Sequence, residues 1–257
     1  MPRIYLPAPV FLNNQISITD EKAHYLASVL RCGKGDCLII FDGKGNCFRT
    51  TIVTADKREV VAEVAEKIPC NLESDLNITL VQGLLKGEKM DMVIQKTTEL
   101  GVKEILPVIS GRSQLRDTKK IARWRKIAEE ASRQSGRSMV PVVHETVDFR
   151  SFIQMIGRNR DAGTRGHGEA KGFIFYEENG LSLRDSINKI SFSPSPPFTE
   201  SSIHLIIGPE GGFTEEEIGL AKEKGLIVAS LGKRILRAET AAISAVALAQ
   251  FLLGDMG

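Results

Sequence analysis

The chain has 257 residues, of which 42% are hydrophobic and 26% charged, and its formal net charge is +2. This balance is typical of an ordinary globular protein, and the length favours two domains over one. No basic leader followed by an apolar run begins the sequence, and the most apolar segment, 241–253, is too short to cross a bilayer. Composition therefore argues against a secreted or membrane-spanning chain, and we expect a cytoplasmic protein.

The first part of the chain, residues 1–72, is predicted to form a small β-barrel domain with one early helix. The predicted strands are 37–41, 48–53 and 59–64. The first two flank Asp42-Gly43-Lys44-Gly45-Asn46, a sequence typical of a hairpin turn. A helix is expected over 20–30, capped by Thr19, because apolar residues recur there on one helical face.

From residue 73 to residue 257, predicted strands and helices alternate, which favours an α/β domain with a mostly parallel sheet. The predicted strands are 78–82, 104–109, 140–143, 173–176, 205–207 and 227–229, and helices are expected at 89–100, after Asp117, after Thr214 and at 241–253. Thr214 and Glu217 have the spacing of a capping box. The last helix is so apolar that we expect it to be buried on every side. Two segments, 157–170 and 191–202, are rich in Gly or in Ser and Pro and are expected to be surface loops.

Two glycine-containing loops give the strongest indication of a ligand site. Gly208-Pro209-Glu210-Gly211-Gly212 follows one apolar strand, and Leu231-Gly232-Lys233-Arg234-Ile235-Leu236-Arg237-Ala238-Glu239-Thr240 follows the next. Glycine lets main-chain N–H and C=O groups approach a ligand closely. Both loops are expected at the carboxyl ends of strands, the edge at which open α/β sheets bind ligands. The alternative is that both are only tight turns between strands and helices.

Known motifs narrow the class of site. The chain contains no GxxxxGK[ST] and no GxGxxG, so neither a P-loop nor a dinucleotide fingerprint is present. It also contains no GxSxG and no HExxH, which disfavours a hydrolase triad or a zinc enzyme. The four cysteines, Cys32, Cys37, Cys47 and Cys70, form no CxxC pair, so we expect no metal site and favour reduced thiols.

A basic segment, residues 86–137, indicates a phosphate-binding surface. It holds thirteen Lys or Arg and seven Asp or Glu, a local charge of +6, so the rest of the chain is mildly acidic. The candidate contacts to RNA phosphates are Arg112, Arg116, Lys119, Arg123 and Lys126 in this segment, together with His24 and Arg31 on the early helix. An ordinary solvated helix surface is the alternative in both places.

The residues of the two loops resemble a known family. Leu205-Ile206-Ile207-Gly208-Pro209-Glu210-Gly211-Gly212, followed by Leu231-Gly232 and Ile235-Leu236-Arg237-Ala238-Glu239-Thr240-Ala241, is similar to the RsmE family. These are ribosomal small subunit RNA (uracil-N3) methyltransferases of the SPOUT class. Further similar segments are Lys86-Gly87-Glu88-Lys89-Met90, 95–102, Ser110-Gly111-Arg112-Ser113, Ser135-Gly136-Arg137 and 24–31, so the resemblance covers nearly the whole chain.

The resemblance implies a PUA-like β-barrel at 1–72 that helps to hold RNA, and an α/β domain at 73–257 whose C-terminal part is a deep trefoil knot. It also implies a homodimer, in which the partner subunit completes the site, and S-adenosylmethionine as the cofactor. By this resemblance the expected cofactor-binding residues are Tyr176, Glu177, Ile207, Gly208, Pro209, Glu210, Gly211, Leu231, Gly232, Arg234, Ile235, Leu236 and Thr240.

Arg237 and Glu239 are the candidate catalytic residues. The implied reaction places a methyl group on N3 of a uridine in 16S ribosomal RNA, so the N3 proton must leave and the base must be unpaired or flipped. Arg237 is expected to stabilise negative charge on the uracil, and Glu239 to orient Arg237 or act as the base; an ion pair that only shapes the loop is the alternative. Two other functions stay open: an RNA-binding assembly factor with a vestigial cofactor pocket, and a methyltransferase for another RNA position.

Overall fold

The structure is a computed structural model that describes residues 1–70, 72–161, 171–177, 180–189 and 202–257. The chain divides into two compact units, Met1–Glu73 with Glu129–Val140, and Ser74–Ala128 with Pro141–Gly257. The predicted boundary after residue 72 stays a prediction, and no pattern in the sequence predicts that residues 129–140 belong with the first unit.

The first unit contains a six-stranded sheet. Its strands are β1 (Arg3–Tyr5), β2 (Phe11–Leu12), β3 (Gln15–Thr19), β4 (Cys37–Phe41), β5 (Cys47–Ala55) and β6 (Glu59–Ile68). They lie in the order β1-β4-β5-β6-β3-β2, antiparallel except for the parallel pair of β1 and β4. Phe41 pairs with Cys47 across the predicted hairpin turn, which is confirmed. Ile16 and Ile18 alternate with exposed residues and are fully buried, so one face of the sheet forms the core of this unit.

The early helix and the cysteines differ from expectation. Helix α1 spans Asp20–His24 and continues as a π-helical turn over Tyr25–Val29, rather than as one helix over 20–30. Thr19 does not cap it with its side chain, because Thr19 still pairs with Glu59 in the sheet and its hydroxyl donates to Asp20. Cys47 and Cys70 are joined in a disulfide, whereas reduced thiols were favoured. The pairing of Cys47 with Ile68 brings the Cα atoms of the two cysteines to 6.3 Å.

The second unit contains a parallel sheet. Its strands are β7 (Asn77–Gly83), β8 (Glu104–Ile109), β9 (Val142–Val143), β10 (Val147–Asp148), β11 (Lys171–Phe175), β12 (Leu181–Ser182), β13 (Ser202–Ile207) and β14 (Ile227–Ser230). Their order is β10-β8-β7-β13-β11-β14-β12, with β9 beside β8, and every pairing among the described strands is parallel. The predicted α/β class is confirmed.

Helices follow most of these strands. They are α2 (Lys89–Glu99), α3 (Ile121–Ser135), α4 (Phe149–Asp161), α5 (Leu183–Lys189), α6 (Glu215–Glu223) and α7 (Ala238–Leu253). Phe152 of α4 and Ile218 of α6 share one core cluster with Val81 of β7. The chain passes from β13 past β11 to β14, and α7 then returns to pack on α2, β7 and β13. This is the chain course that the predicted trefoil knot requires.

Helix α7 is not buried on every side, as its apolar sequence predicted. Ala242, Ala245 and Ala249 are buried, and their small side chains let α7 approach its neighbours closely. Leu248 and Phe251 are 40% and 55% exposed, because the elements packed against α7 cover only part of its surface. An all-apolar sequence shows that a helix tolerates burial, but it does not show which sides are covered.

One expected loop is partly helical. Residues 157–161 form the last part of α4, and Ser202, at the end of the second expected loop, is the first residue of β13; the rest of the two expected loops, 162–170 and 191–201, lies outside the described residues. Within the described ranges, no helix is long and apolar enough to cross a membrane. In the same ranges no three His, Cys, Asp or Glu side chains come together as metal ligands.

His204 is a largely buried polar residue of β13. Its ring centroid lies 6.2 Å from that of Phe152, and its Nδ1 atom has no hydrogen-bond partner among the described residues. Burial lowers the pKa of His204, although the Glu104 carboxylate acts in the opposite direction. The folded histidine therefore resists protonation, whereas the unfolded chain takes up this proton as pH falls through the ordinary histidine pKa.

Replacing His204 should flatten the pH dependence of stability. In the unsubstituted protein, this histidine lowers the free energy of unfolding as pH drops below about 6.5, because only the unfolded state binds the proton readily. His204→Leu should therefore lose less unfolding free energy between about pH 7.5 and about pH 5.5, measured by urea unfolding at the two pH values. His24→Gln, at an exposed position, is the control and should keep it. An unchanged pH dependence in His204→Leu would contradict the role of this residue.

Candidate active site

The first glycine loop is fixed between a strand end and a capped helix. It follows Ile207, the last residue of β13, and the N–H of Gly212 donates to the Pro209 carbonyl oxygen at 2.9 Å. Gly212 has a φ of +68°, a left-handed conformation that favours glycine. Thr214 then caps α6: its hydroxyl accepts from the Glu217 N–H, and the Glu217 carboxylate accepts from the Thr214 N–H. The predicted capping box is confirmed.

This loop lies directly against the end of β7. A Cβ atom on Gly83 would lie 2.4 Å from the Pro209 nitrogen, so only glycine fits at position 83 without displacing the loop. The buried Gln82 side chain donates from Nε2 to the carbonyl oxygens of Gly83, at 2.9 Å, and of Gly208, at 3.2 Å. The strand end and the glycine loop are therefore held backbone against backbone.

The second glycine loop runs from the end of β14 to the start of α7. The Ser230 hydroxyl accepts from the Gly232 N–H at 3.2 Å and donates to the Gly232 carbonyl oxygen at 3.1 Å. Gly232 has a φ of +112°, again a conformation that L-residues rarely adopt. The loop ends at Arg237, the N-cap residue of α7, whose carbonyl oxygen accepts from the Ala241 N–H at 2.8 Å.

A cavity of about 740 Å³ lies at the carboxyl ends of β11, β13 and β14. The segment that follows β11 completes its wall, and the Tyr176 N–H there donates to the Ala229 carbonyl oxygen at 3.1 Å. The volume is in the range of sites for small organic ligands, and the position is the expected edge of an α/β sheet. The residues that line it are Lys89, Arg112, Phe175, Tyr176, Glu177, Ile207, Gly208, Pro209, Glu210, Gly211, Gly212, Phe213, Ser230, Leu231, Gly232, Lys233, Arg234, Ile235, Leu236, Arg237, Ala238, Glu239 and Ala241.

The structure brings nearly all of the predicted cofactor-binding residues to this cavity. Thr240 is the exception: it lies exposed on the first turn of α7 and is not part of the wall. Both candidate catalytic residues, Arg237 and Glu239, line the cavity. The contacts of these residues with a ligand stay predictions.

Three charged residues of the wall, Lys89, Arg112 and Lys233, are not among the predicted cofactor-binding or catalytic residues, and Lys233 lies within the second glycine loop itself. Lys89 reaches the cavity from the first turn of α2, and Arg112, expected to contact RNA, reaches it from the loop after β8. The Gly111 N–H donates to the Glu217 carboxylate at 2.7 Å, and Arg112 Nη1 donates to the Gly211 carbonyl oxygen at 3.3 Å. The sequence signal that could have placed Arg112 at the cavity is the position of residues 110–113 directly after a strand of the same sheet.

Lys89 and two carboxylates form a charged cluster in the wall. Lys89 Nζ lies 3.2 Å from Glu210 Oε1 and 3.9 Å from Glu239 Oε2. Burial alone would raise the pKa of Glu210, but hydrogen bonds from the Lys86 N–H, from its own N–H and from the Lys89 ammonium outweigh burial, and the pKa is lowered. Glu239 is 8% exposed, and its Oε2 atom has no hydrogen-bond partner among the described residues.

The ion pair of Arg237 with Glu239, which was the alternative to a catalytic role, is not found in the described part of the chain. The cation nearest to Glu239 in an ion pair is Lys89, and Arg237 is exposed. Within the described residues, the Arg237 side chain makes no hydrogen bond or salt bridge, so its guanidinium remains available to a ligand.

The predicted RNA-binding residues lie in both units. His24 and Arg31 are exposed in the first unit. In the second unit Lys119 precedes α3, which begins only at Ile121, and Lys126 is exposed on that helix.

Arg116 and Arg123, two of the predicted phosphate contacts, have structural roles. Arg116 donates to the carbonyl oxygens of Ser110 and Gly111, and Arg123 forms an ion pair with Asp91 at 2.7 Å. Acceptors of the protein itself therefore already engage these two of the predicted contacts to RNA phosphates.

Comparisons with known proteins match both parts of the chain. A family model described as an RNA methyltransferase domain matches residues 72–250, and one described as an RNA methyltransferase PUA domain matches residues 18–65. The chain is 35% identical over 257 residues to the ribosomal RNA small subunit methyltransferase E of Bacillus subtilis, with 96% of this chain and 94% of the relative covered. It is 33% identical over 260 residues to the protein of that name from Buchnera aphidicola, with 99% and 95% covered.

Solved structures give the same result. A ribosomal RNA small subunit methyltransferase E from Neisseria gonorrhoeae, bound to S-adenosylmethionine, is similar with a TM-score of 0.86 and 35% identity over 100% of both chains. A putative methyltransferase from Legionella pneumophila, also with this cofactor bound, has a TM-score of 0.81 and 34% identity over 98% of both chains. A glycine-loop cavity at the edge of a parallel sheet, a PUA match and full-length identity above 30% agree: the chain belongs to the ribosomal RNA small subunit methyltransferase E family.

Proposed function

We propose that the chain is an S-adenosylmethionine-dependent methyltransferase that methylates N3 of a uridine in 16S RNA of the small ribosomal subunit. The observation that carries this proposal is the cavity of about 740 Å³ between the two glycine loops. The similar proteins from Neisseria gonorrhoeae and Legionella pneumophila hold S-adenosylmethionine, which makes this ligand the natural occupant of a related cavity.

The chemistry of the wall fits this cofactor. Main-chain groups at Gly208, Gly211 and Gly232 supply donors and acceptors that a polar nucleoside requires, and Ile207 and Leu236 supply apolar surface for a flat base. When bound, S-adenosylmethionine supplies an activated methyl group on a sulfonium. The protein then has to bind and orient the methyl donor and the acceptor in line.

Arg237 and Glu239 are the proposed catalytic residues. Arg237 presents an exposed guanidinium at the cavity, suited to stabilise negative charge on a uracil carbonyl oxygen. Glu239 offers a buried carboxylate whose Oε2 atom lacks a hydrogen bond, suited to accept the N3 proton. A base role fits Glu239 better than an orienting role, since its ion pair is with Lys89 and not with Arg237.

The RNA is proposed to bind through exposed cations. His24, Arg31, Lys119 and Lys126 are exposed, and Arg112 lies at the cavity itself. The five cations of the wall, Lys89, Arg112, Lys233, Arg234 and Arg237, outnumber its three acids, Glu177, Glu210 and Glu239, leaving a charge of +2 that favours an anionic substrate. The target uridine has to be unpaired or flipped to expose N3.

We further propose that the protein acts in the cytoplasm as a homodimer in which the partner subunit completes the site. The exposed apolar residues Leu248 and Phe251 of α7 support this, because buried apolar surface is the usual basis of stable dimers.

Calorimetric titration with S-adenosylmethionine, followed by methyl transfer to isolated small subunits, tests the proposed function. We expect saturable cofactor binding and one methyl group on one uridine. No detectable binding at millimolar cofactor would instead favour an RNA-binding assembly factor. Transfer to another base or atom would point to a different methyltransferase specificity.

Arg237→Ala should separate binding from chemistry. Cofactor affinity should stay unchanged, while kcat falls about 100-fold, the usual cost of removing one donor to a developing negative charge. Arg184→Ala, at an exposed position on α5 away from the cavity, is the control. Loss of cofactor affinity in Arg237→Ala would place this residue in cofactor binding rather than catalysis.

Gly83→Ala should disturb the cavity although none of the residues that line it is replaced. The added Cβ would lie 2.4 Å from the Pro209 nitrogen and displace the first glycine loop, so cofactor affinity should fall at least about tenfold. Gly219→Ala is the matched control, since a Cβ there meets nothing within 4 Å and alanine favours the helix. Equal cofactor affinity in both variants would contradict the dependence of the site on this close approach.

A further inference from the structure

Lys89 occupies an electrostatically unusual place. It is the first residue of α2, where the partial positive charge of the helix N-terminus disfavours a cation. The Glu210 and Glu239 carboxylates offset this cost, at 3.2 and 3.9 Å from Nζ. A structural ion pair alone would not require the lysine to line the cavity, which it does.

The Lys89 ammonium has hydrogen-bonding capacity left over. Of its three donors, one is used by Glu210, and the 3.9 Å separation from Glu239 is too long for a hydrogen bond. Its side chain is 38% exposed, so a ligand in the cavity can reach it. Glu239, in contrast, is nine-tenths buried and has an oxygen without a hydrogen bond. The Lys89 ammonium, a hydrogen-bond donor, and the Glu239 carboxylate, a proton acceptor, thus lie side by side in the cavity wall.

The proposed reaction needs both. When the N3–H bond of uracil breaks, the negative charge spreads over N3 and the two neighbouring carbonyl oxygens. Building on the proposed function, we propose that Lys89 is a further catalytic residue, which donates to a uracil carbonyl oxygen and stabilises this charge while Glu239 takes the N3 proton. The N3 electron pair then forms the bond to the methyl carbon as the carbon–sulfur bond breaks, leaving a neutral thioether and a protonated Glu239 that returns its proton to solvent.

The arrangement explains why a lysine and two acids share one wall. Glu239 is neutral once it has taken the proton, but the Glu210 carboxylate in the same wall repels the uracil anion, and the Lys89 ammonium offsets this repulsion. The Glu210 hydrogen bond holds the ammonium at the edge of the first glycine loop, so its position does not depend on the substrate. Uracil offers a carbonyl oxygen on each side of N3, so Lys89 and Arg237 can act together.

The proposal can be tested with Lys89→Met, Lys89→Arg and the control Lys96→Met. Lys96 lies on the same helix, pairs with Glu99 and has a similarly exposed side chain, but does not line the cavity. The assay measures cofactor affinity by calorimetry and methyl transfer to small subunits from a strain that lacks the gene. A second substrate comes from the same strain grown with 5-fluorouracil, in which fluorine makes the N3 proton more acidic.

We expect Lys89→Met to bind S-adenosylmethionine within about threefold of the unsubstituted protein and to lose about 100-fold in kcat, with partial recovery in Lys89→Arg. On fluorouracil-substituted subunits the loss of kcat in Lys89→Met should be at least about tenfold smaller, because the more acidic base requires less stabilisation of its anion. Lys96→Met should behave as the unsubstituted protein does.

Three outcomes would overturn the role of Lys89: lost cofactor binding in Lys89→Met, an equal defect in Lys96→Met, or the same defect on both kinds of subunit. Failure of the proposed function is distinguishable from these results. In that case the unsubstituted protein itself transfers no methyl group to uridine in either substrate.

Discussion

The close approach of the 208–212 loop to the end of β7 is the constraint on which the site depends. Gly83 leaves no room for a side chain between the strand and Pro209, and Gln82 holds the loop by its Gly208 carbonyl oxygen. The loop thereby presents its own backbone to the cavity instead of covering it with side chains. Such a wall is suited to hold a polar nucleoside while the charged residues around it act on a second substrate.

Charged residues from several elements line the cavity beside this loop backbone. Two helices, α2 and α7, begin at the cavity and bring Lys89 and Glu239 to it from their first turns. Glu210 belongs to the first glycine loop and accepts a hydrogen bond from Lys89, so it links the pair of Lys89 and Glu239 to that loop. The hydrogen bonds of the cluster lower the pKa of Glu210, while Arg237 stays unengaged within the described residues. This balance suits a reaction that removes a proton from a neutral base and stabilises the resulting anion.

Sequence reasoning located the site because its signals are local: glycines after apolar strands and a capping box at Thr214. It missed α4, although Phe149, Phe152 and Ile156 have helical spacing, because the Gly-rich segment beginning at residue 157 suggested a loop. It could not have found the cluster of Lys89 with Glu239, because only the fold brings together residues so distant along the chain. The covered side of α7 was unpredictable for the same reason, since it depends on which elements pack against the helix.

The cavity between the two glycine loops is proposed to serve methyl transfer to the pairing edge of one uridine in 16S RNA. The most direct test is mass mapping of 16S RNA from a strain that lacks the gene, compared with its parent and with the complemented strain. We expect that one uridine loses one methyl group in the deletion strain, that the group lies on N3, and that complementation restores it. An identical methylation pattern in all three strains, or a lost methyl group on another base, would contradict the proposed activity.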